Sequence, residues 1–357
     1  VPNFSEGRRA DVIAAIAAAG GAHVLDVDPD PDHHRVVISL AAEGTRLADG
    51  LLGAVGAAVE RIDIRAHAGV HPRVGAADVV PIVPLGGSTL AAARELAREV
   101  GERIWSELRV PVYWYGERRS LADIRAGRAA PDLGGPGHHP SAGAVSVGAR
   151  QTLVAFNVLL PGLDVVAARS LARSLRESRA GMRGVQALVF ELPGGRVQLS
   201  MNLFRVDETP PAAVIAELER RGVEIGRQEV VGLCPAVAAH QTAAGRVLEA
   251  RLAAAAARAG ALRCREIGDE EALALAERLE KEASGLAATG VEQVEMLVGA
   301  ERASALARVL RAAGILDSEL EAMLTAAALG LRAAITPETA ATYSARLAAL
   351  HRKQNGV

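Results

Sequence analysis

Aromatic side chains are scarce in this chain, at 3% of 357 residues. Proteins that hold nucleic acid by stacking its bases need such side chains on a platform. A formal net charge of −2 also leaves no global basic field for phosphates. Nucleic acid is therefore not expected as a partner. Cysteine is nearly absent. Cys234 and Cys264 are too few for a disulfide framework or a thiolate metal site, and they fit a reducing cytoplasm. Long apolar runs are missing as well, because the Ala-rich stretches carry Arg, Glu or His every few residues. None reaches the roughly 20 apolar residues of a membrane span, and no basic-then-apolar leader opens the chain. The expectation is a soluble, cytoplasmic globular protein, long enough for two or three domains.

The most informative segment is RAHAGVHPRVGAADVVP, residues 65–81. His67 and His71 are four residues apart, which on a helix would bring both rings to one face. Pro72 opposes helical backbone at His71, and Gly69 and Gly75 favour turns. The segment therefore reads as a loop delivering His71 and Arg73 into a cleft ahead of an apolar strand. A neutral imidazole can take and return a proton near physiological pH, and a guanidinium can hold a carboxylate at two points.

Around this segment the first 150 residues alternate strand and helix patterns. Helices are expected at 11–19, 45–62 and 89–107. Strands are expected at 23–28, 35–40, 62–64, 79–84 and 110–115. Residues 127–143 are dense in Gly and Pro, as functional or disordered loops are. From 152 to 231 the order strand, helix, strand, strand, helix, strand is that of a ferredoxin-like split unit. After Pro235 no strand pattern remains. Gly260 and Gly314 read as helix stops, Ser318 to Glu321 as a capping box, and Thr336-Pro337 as a helix start. The expected fold is α/β (α+β): two ferredoxin-like subdomains, 1–150 and 151–235, flanking a cleft, then an all-helical domain at 236–357.

Other polar residues admit both plain and functional readings. Asp26 and Asp28 alternate on one strand and point the same way. Asn3 precedes Ser5, a reasonable N-cap for the first helix. Asn157 and Asn202 interrupt apolar strands, where an amide needs a partner or a ligand. The pairs His33-His34 and His138-His139 make no standard ligand spacing, so no metal is expected.

Taken in order, the strings VPNFSEGR (1–8), LDVDPD (25–30), HAGVHPRVGAADVVPIVP (67–84), VPVYWYGE (110–117), RRSLADIRAG (118–127), SAGAVSVGAR (141–150), VAFNVLL (154–160), QLSMNL (198–203) and EVVGLCP (229–235) resemble the formiminotransferase family. The resemblance covers roughly residues 1–235. It implies a homodimer with tetrahydrofolate as co-substrate, transferring a formimino group between N-formimino-L-glutamate and N5 of the folate, as in histidine degradation. It implies His71 as the catalytic histidine, supported by Asp28. By its own chemistry Arg73 joins them as a catalytic candidate, and Arg73 or Arg35 is the candidate anchor for a donor carboxylate. The resemblance implies a folate loop at Gly134, Gly135, Pro136, Gly137, His138, His139, Pro140, Ser141, Ala142 and Gly143. A pterin needs amide partners, and Asn3, Asn157 and Asn202 are the candidates for them. The donor or acceptor amine falls to His34, Arg35, His67 and Val70. The family usually has Asn at position 34 and Glu at position 70. Those two departures admit an alternative in which the same chemistry serves another amine, glycine-like or aminoglycoside-like. A non-catalytic folate-binding protein is a second alternative. The tail lacks the Pro-Gly-Gly-Gly-Ser string of the family's cyclodeaminase partner, and no deaminase activity is expected of it.

Overall fold

The computed structural model describes residues 1–21, 24–116, 119–239, 243, 245–286 and 293–341. They form two compact units, Val1–Thr209 with Val214–Gly232, and Pro210–Ala213 with the chain from Leu233 onward.

The first unit opens with β1 (Asn3–Phe4), α1 (Ala10–Ala19), β2 (Val24–Asp30), β3 (Arg35–Leu40), α2 (Gly44–Arg61) and β4 (Ala77–Ile82). These four strands lie in the order β2-β3-β1-β4, each pair antiparallel, which is a split β-α-β-β-α-β unit. Next come α3 (Leu90–Leu108), β5 (Val112–Trp114), α4 (Leu121–Arg125) and β6 (Val145–Ala149). Here β6 pairs parallel with both β4 and β5, making six strands in all. The helices bury Val12, Ile13, Ile16, Leu51, Val55, Val100 and Ile104 against Phe4, Val36, Ile38, Val80 and Ile82. In β1 and β3, strand alternation turns Asn3, Arg35, Val37 and Ser39 to the opposite, helix-free face. Asp28 and Asn3 both sit opposite Val37 there.

The same topology recurs in β7 (Val154–Leu159), α5 (Val165–Leu175), β8 (Val185–Leu192), β9 (Arg196–Leu203), α6 (Pro211–Arg220) and β10 (Gln228–Val231). The sheet order is β10-β7-β9-β8, all antiparallel. Val154, Phe156, Val158, Leu199, Met201 and Leu203 are buried, while Asn157, Gln198, Ser200 and Asn202 alternate with them on the other face. Asn157 pairs with Ser200, and Phe190 with Gln198.

Several expectations are corrected. The strand expected at 62–64 is instead the end of α2 followed by a 3-10 turn at Ile64–Ala66, because the Asp63 carboxylate accepts the Arg65 N–H. Ser5 does not cap α1. Its hydroxyl donates to the Gly75 carbonyl, 2.7 Å away, and the cap position is Arg9. Only Gln228–Val231 of the stretch 223–231 is strand. β1, α4 and β6 are additions to the expected elements. Position 23, positions 117–118 and the tail from 342 lie outside the described residues.

In the second unit α7 (Leu248–Ile267), α8 (Glu270–Leu286), α9 (Gln293–Ala312) and α10 (Ser318–Ala333) form a helical array. Val247, Ala250, Met296, Ala300 and Leu331 share one core. Gly260 lies inside α7 rather than ending it, and a side chain there would press on Leu310. The cap of α10 is Asp317, whose carboxylate accepts the Leu320 N–H, rather than Ser318. Among the described residues no helix is long and apolar enough to cross a membrane.

Candidate active site

Two loops of the first unit are locked together by one guanidinium. The β2–β3 turn carries His33 and His34, and the segment after α2 carries His67, His71 and Arg73. Arg73 donates through Nε and Nη2 to the His71 carbonyl (3.1 and 2.8 Å) and through Nη2 to the His33 carbonyl (3.1 Å). Its Nη1 reaches the His34 carbonyl (3.2 Å) and Nε2 of His67 (2.6 Å). These five contacts match the five N–H donors that a guanidinium has. With its fork filled by this chain, Arg73 serves as a latch between the two loops.

His34 has a left-handed backbone, φ 49°, a conformation that Asn and His tolerate better than most residues. Its Nδ1 accepts the Gly7 N–H at 3.0 Å, and its ring stacks on His67 with centroids 4.0 Å apart. An Asn at this position would meet the same turn requirement. His34 and His67 thus tie the two loops together. Burial, with Arg73 beside it, pushes His67 down to about 4, consistent with a neutral ring accepting from Arg73.

Arg35, Phe190 and His33 meet the His71 ring. Nη1 of Arg35 is 3.3 Å from Nε2. The Phe190 ring from β8 lies at 5.9 Å between centroids, and the edge-on His33 ring at 6.1 Å. Burial is the main cause pushing His71 down to about 2, reinforced by the positive charges of Arg35 and Arg125. The imidazole is therefore neutral. A guanidinium only donates, so Nε2 is the acceptor and the ring proton sits on Nδ1. His33 is buried and meets the second sheet through Gln198, whose Nε2 is 3.0 Å from His33 Nε2, and through Phe190.

The glycine-rich loop is fastened beside this segment. The Ala76 N–H donates to Ala142 O (2.8 Å), Ala144 to Val74 O (3.2 Å) and Ile64 to Ser141 O (2.8 Å). The approach demands glycine on both sides. A Cβ on Gly75 would stand 2.1 Å from Ala144 O, and one on Gly143, at φ +72°, would stand 2.4 Å from Val74 O. Within the loop His139 and Gly143 exchange backbone hydrogen bonds, Nδ1 of His139 accepts the Ala142 N–H, and His138 lies 3.0 Å from the Tyr113 hydroxyl.

The remaining predicted residues are spread along the two helix-free faces. Asn3 donates to the Val1 carbonyl, and Asn157 donates to Glu229 at 3.1 Å. Asn202 is exposed on the polar face of the second sheet. Asp28 bridges the two sheets, accepting the Gly232 N–H at 2.8 Å. Val70 is half-buried in the turn before His71. Sequence reasoning missed Phe190, Gln198, Asp78 and Arg125. Asp78 was detectable as a lone acid inside an apolar strand. It is buried, accepts the Val74 N–H (2.6 Å) and pairs with Arg125 of α4. Among the described residues no three His, Cys, Asp or Glu side chains are grouped to hold a metal ion.

Comparison with known proteins falls on the same residues. The formiminotransferase domain, N-terminal subdomain, matches residues 1–150. The chain is 38% identical over 264 residues to glutamate formimidoyltransferase of Thermoplasma acidophilum, covering 66% of this chain and 87% of that protein. The glutamate formimidoyltransferase of Streptococcus pyogenes is 35% identical over 269 residues, with coverage of 67% and 89%. The formimidoyltransferase-cyclodeaminase of Sus scrofa is 37% identical over 268 residues, covering 66% of this chain and 49% of that protein. A half-buried neutral histidine between two split α/β units, in a chain this similar to such enzymes, leads to one assignment: the chain belongs to the formiminotransferase family.

Proposed function

We propose that the chain is a folate-dependent formimidoyltransferase that moves a formimino group between N-formimino-L-glutamate and N5 of tetrahydrofolate. The observation that carries this reading is the neutral His71, its Nε2 lone pair turned toward Arg35 and its ring against Phe190 of the second sheet. In the forward direction the N5–carbon bond forms as the carbon–nitrogen bond of the donor breaks. The proton lost from N5 passes to Nε2 of His71 and then to the departing amine, so one imidazole serves as base and acid. The surroundings suit this cycle. Arg73 fixes the loop that carries the ring, and Phe190 limits water around it.

For the folate, the polar residues Asn3, Asn157 and Asn202 and the loop Gly134–Gly143 remain the proposed partners. The buried Ser146 hydroxyl, without a partner among the described residues, is a further polar group available on the sheet beside that loop. Asp28 is proposed to act on the site through the sheet-to-sheet bridge at Gly232. The division at 150 and 235, a cytoplasmic homodimer and a place in histidine degradation belong to the same reading, supported by the family resemblance and by Cys234 and Cys264, both buried and free. The case for a different amine now rests on Val70 alone, because His34 answers a turn requirement.

The test is a donor panel. The full chain is incubated with tetrahydrofolate and N-formimino-L-glutamate, N-formiminoglycine or a formimino aminoglycoside, and 5-formimino-tetrahydrofolate is followed spectroscopically. The reading predicts product from formiminoglutamate at the highest kcat/KM. Absence of product from every donor contradicts it.

A further inference from the structure

Three guanidiniums surround His71, and their charge is compensated unevenly. Arg125 pairs with the buried Asp78. All the hydrogen bonds of Arg73 end on carbonyls or an imidazole, none of them charged. Arg35 is desolvated, with Asp30, Asp78 and Asp28 as its nearest opposite charges, yet among the described residues no carboxylate reaches it at ion-pair distance. Among the described residues its side-chain hydrogen-bond partner is the His71 ring. The Nε atoms of Arg35 and Arg125 are both buried and both lack an acceptor among the described residues.

A buried cationic donor without an acceptor destabilises the fold unless a ligand supplies one. Two such donors lie within electrostatic reach of one imidazole and of each other. That is a site built for an anion, and two guanidiniums suit the planar, two-point acceptor of a carboxylate. Arg35 is also the group that covers the lone pair on Nε2, the atom a base needs.

We propose that Arg35 and Arg125 form the subsite for a carboxylate of the formimino amino acid, and that the seated carboxylate draws Arg35 away from His71 and leaves Nε2 open to accept a proton. The identity of the ligand rests on the transferase reading, whereas the anion site stands on the two guanidiniums. The arrangement makes the base usable only when an anionic substrate is present. A donor lacking the carboxylate would leave Arg35 on Nε2 and would suffer in kcat as well as in KM.

The experiment uses the full chain with 15N-labelled histidine and glutarate alone as the probe, so no turnover is needed. The groups facing His71 are Arg35, Arg73, Arg125, His33 and Phe190, with Asp78, Asp30 and Asp28 around Arg35 and Glu229 near His33. A carboxylate added to this set should move the His71 titration midpoint upward by roughly one to three pH units. The double variant Arg125→Gln/Asp78→Asn removes the buried ion pair as a unit and should weaken glutarate at least about thirtyfold. Arg35→Gln, which leaves that pair intact, is the second variant and should weaken glutarate likewise. Amide spectra check that each variant is folded. Glutarate that leaves the His71 midpoint unchanged overturns the proposal, as does equal glutarate affinity in wild type and a folded variant. Failure of the donor panel with this response retained would count against the reaction and not against the anion site.

Discussion

Nη1 of Arg35 stands 3.3 Å from Nε2 of His71, and that contact fixes the ring's tautomer. The guanidinium cannot accept a proton, so the imidazole must be neutral with its hydrogen on Nδ1. Loss of the Arg35 charge should therefore raise the affinity of His71 for protons. In Arg35→Met the His71 resonance should titrate above its wild-type midpoint, although burial still holds it below an ordinary histidine. An unchanged midpoint in a folded variant would show that Arg35 does not govern the ring.

Arg73 is a latch, and its shape matters as much as its charge. Arg73→Lys keeps the charge but has three donors from one atom in place of a planar fork. It should lose about 2–4 kcal/mol of stability, because the partly buried carbonyls of His33, His34 and His71 lose donors;. Urea unfolding measures this. A lysine variant as stable as wild type would return Arg73 to a ligand-binding role.

Position 34 is a test of backbone rather than of substrate. His34→Asn should leave both stability and donor preference close to wild type, since Asn also adopts φ near 49°. His34→Ile should cost about 1–3 kcal/mol, because a β-branched residue is strained there. A marked change of donor preference in His34→Asn would restore this residue to the amine pocket.

Gly75→Ala probes the junction between the histidine segment and the glycine-rich loop. The new Cβ would meet the Ala144 and Ala142 carbonyls at 2.1 and 2.4 Å, contacts that backbone must move to relieve. A cost of about 1–3 kcal/mol is expected, together with weaker folate binding. Thermal unfolding and folate titration measure both. Undiminished folate affinity would separate that loop from the folate site.

The buried and half-buried imidazoles set a pH dependence with a definite sign. His33, His34, His67 and His71 all lie below the ordinary histidine value of 6.5, mainly through burial, with His67 at about 4 and His71 at about 2. Below 6.5 the unfolded chain takes up protons that the folded chain refuses. Stability should therefore fall as pH drops from about 6.5 toward 4, with His71 extending the loss toward about 2. Above 6.5 these groups add no slope. His67→Gln should flatten the upper part of the fall. A denaturation midpoint that is constant between pH 6.5 and 4 would contradict the burial of these rings.

Much of the fold was legible because amphipathic periods persist over many residues. The strand Arg35–Leu40 and the pair Val185–Leu192 and Arg196–Leu203 alternate along their whole length. The two-residue β1 has no period to read, and β6 is hidden in a run of small residues. The HPR histidine was visible from Pro72 and the glycines around it. The role of Arg73 was not, because three of its acceptors are carbonyls and two of these come from a turn about 40 residues earlier. Arg125 and Phe190 escaped for the same reason. Their importance comes from the approach of α4 and β8 to the His71 ring, which no local spacing encodes.

The central claim is that Nε2 of His71 carries the proton during formimino transfer. It is tested most directly by comparing wild type and His71→Ala in the formation of 5-formimino-tetrahydrofolate from N-formimino-L-glutamate, with folate affinity measured on the same samples. The account predicts a fall in turnover of about 10²–10⁴ with folate affinity nearly unchanged. Turnover within the wild-type range in a folded, folate-binding His71→Ala protein would contradict it.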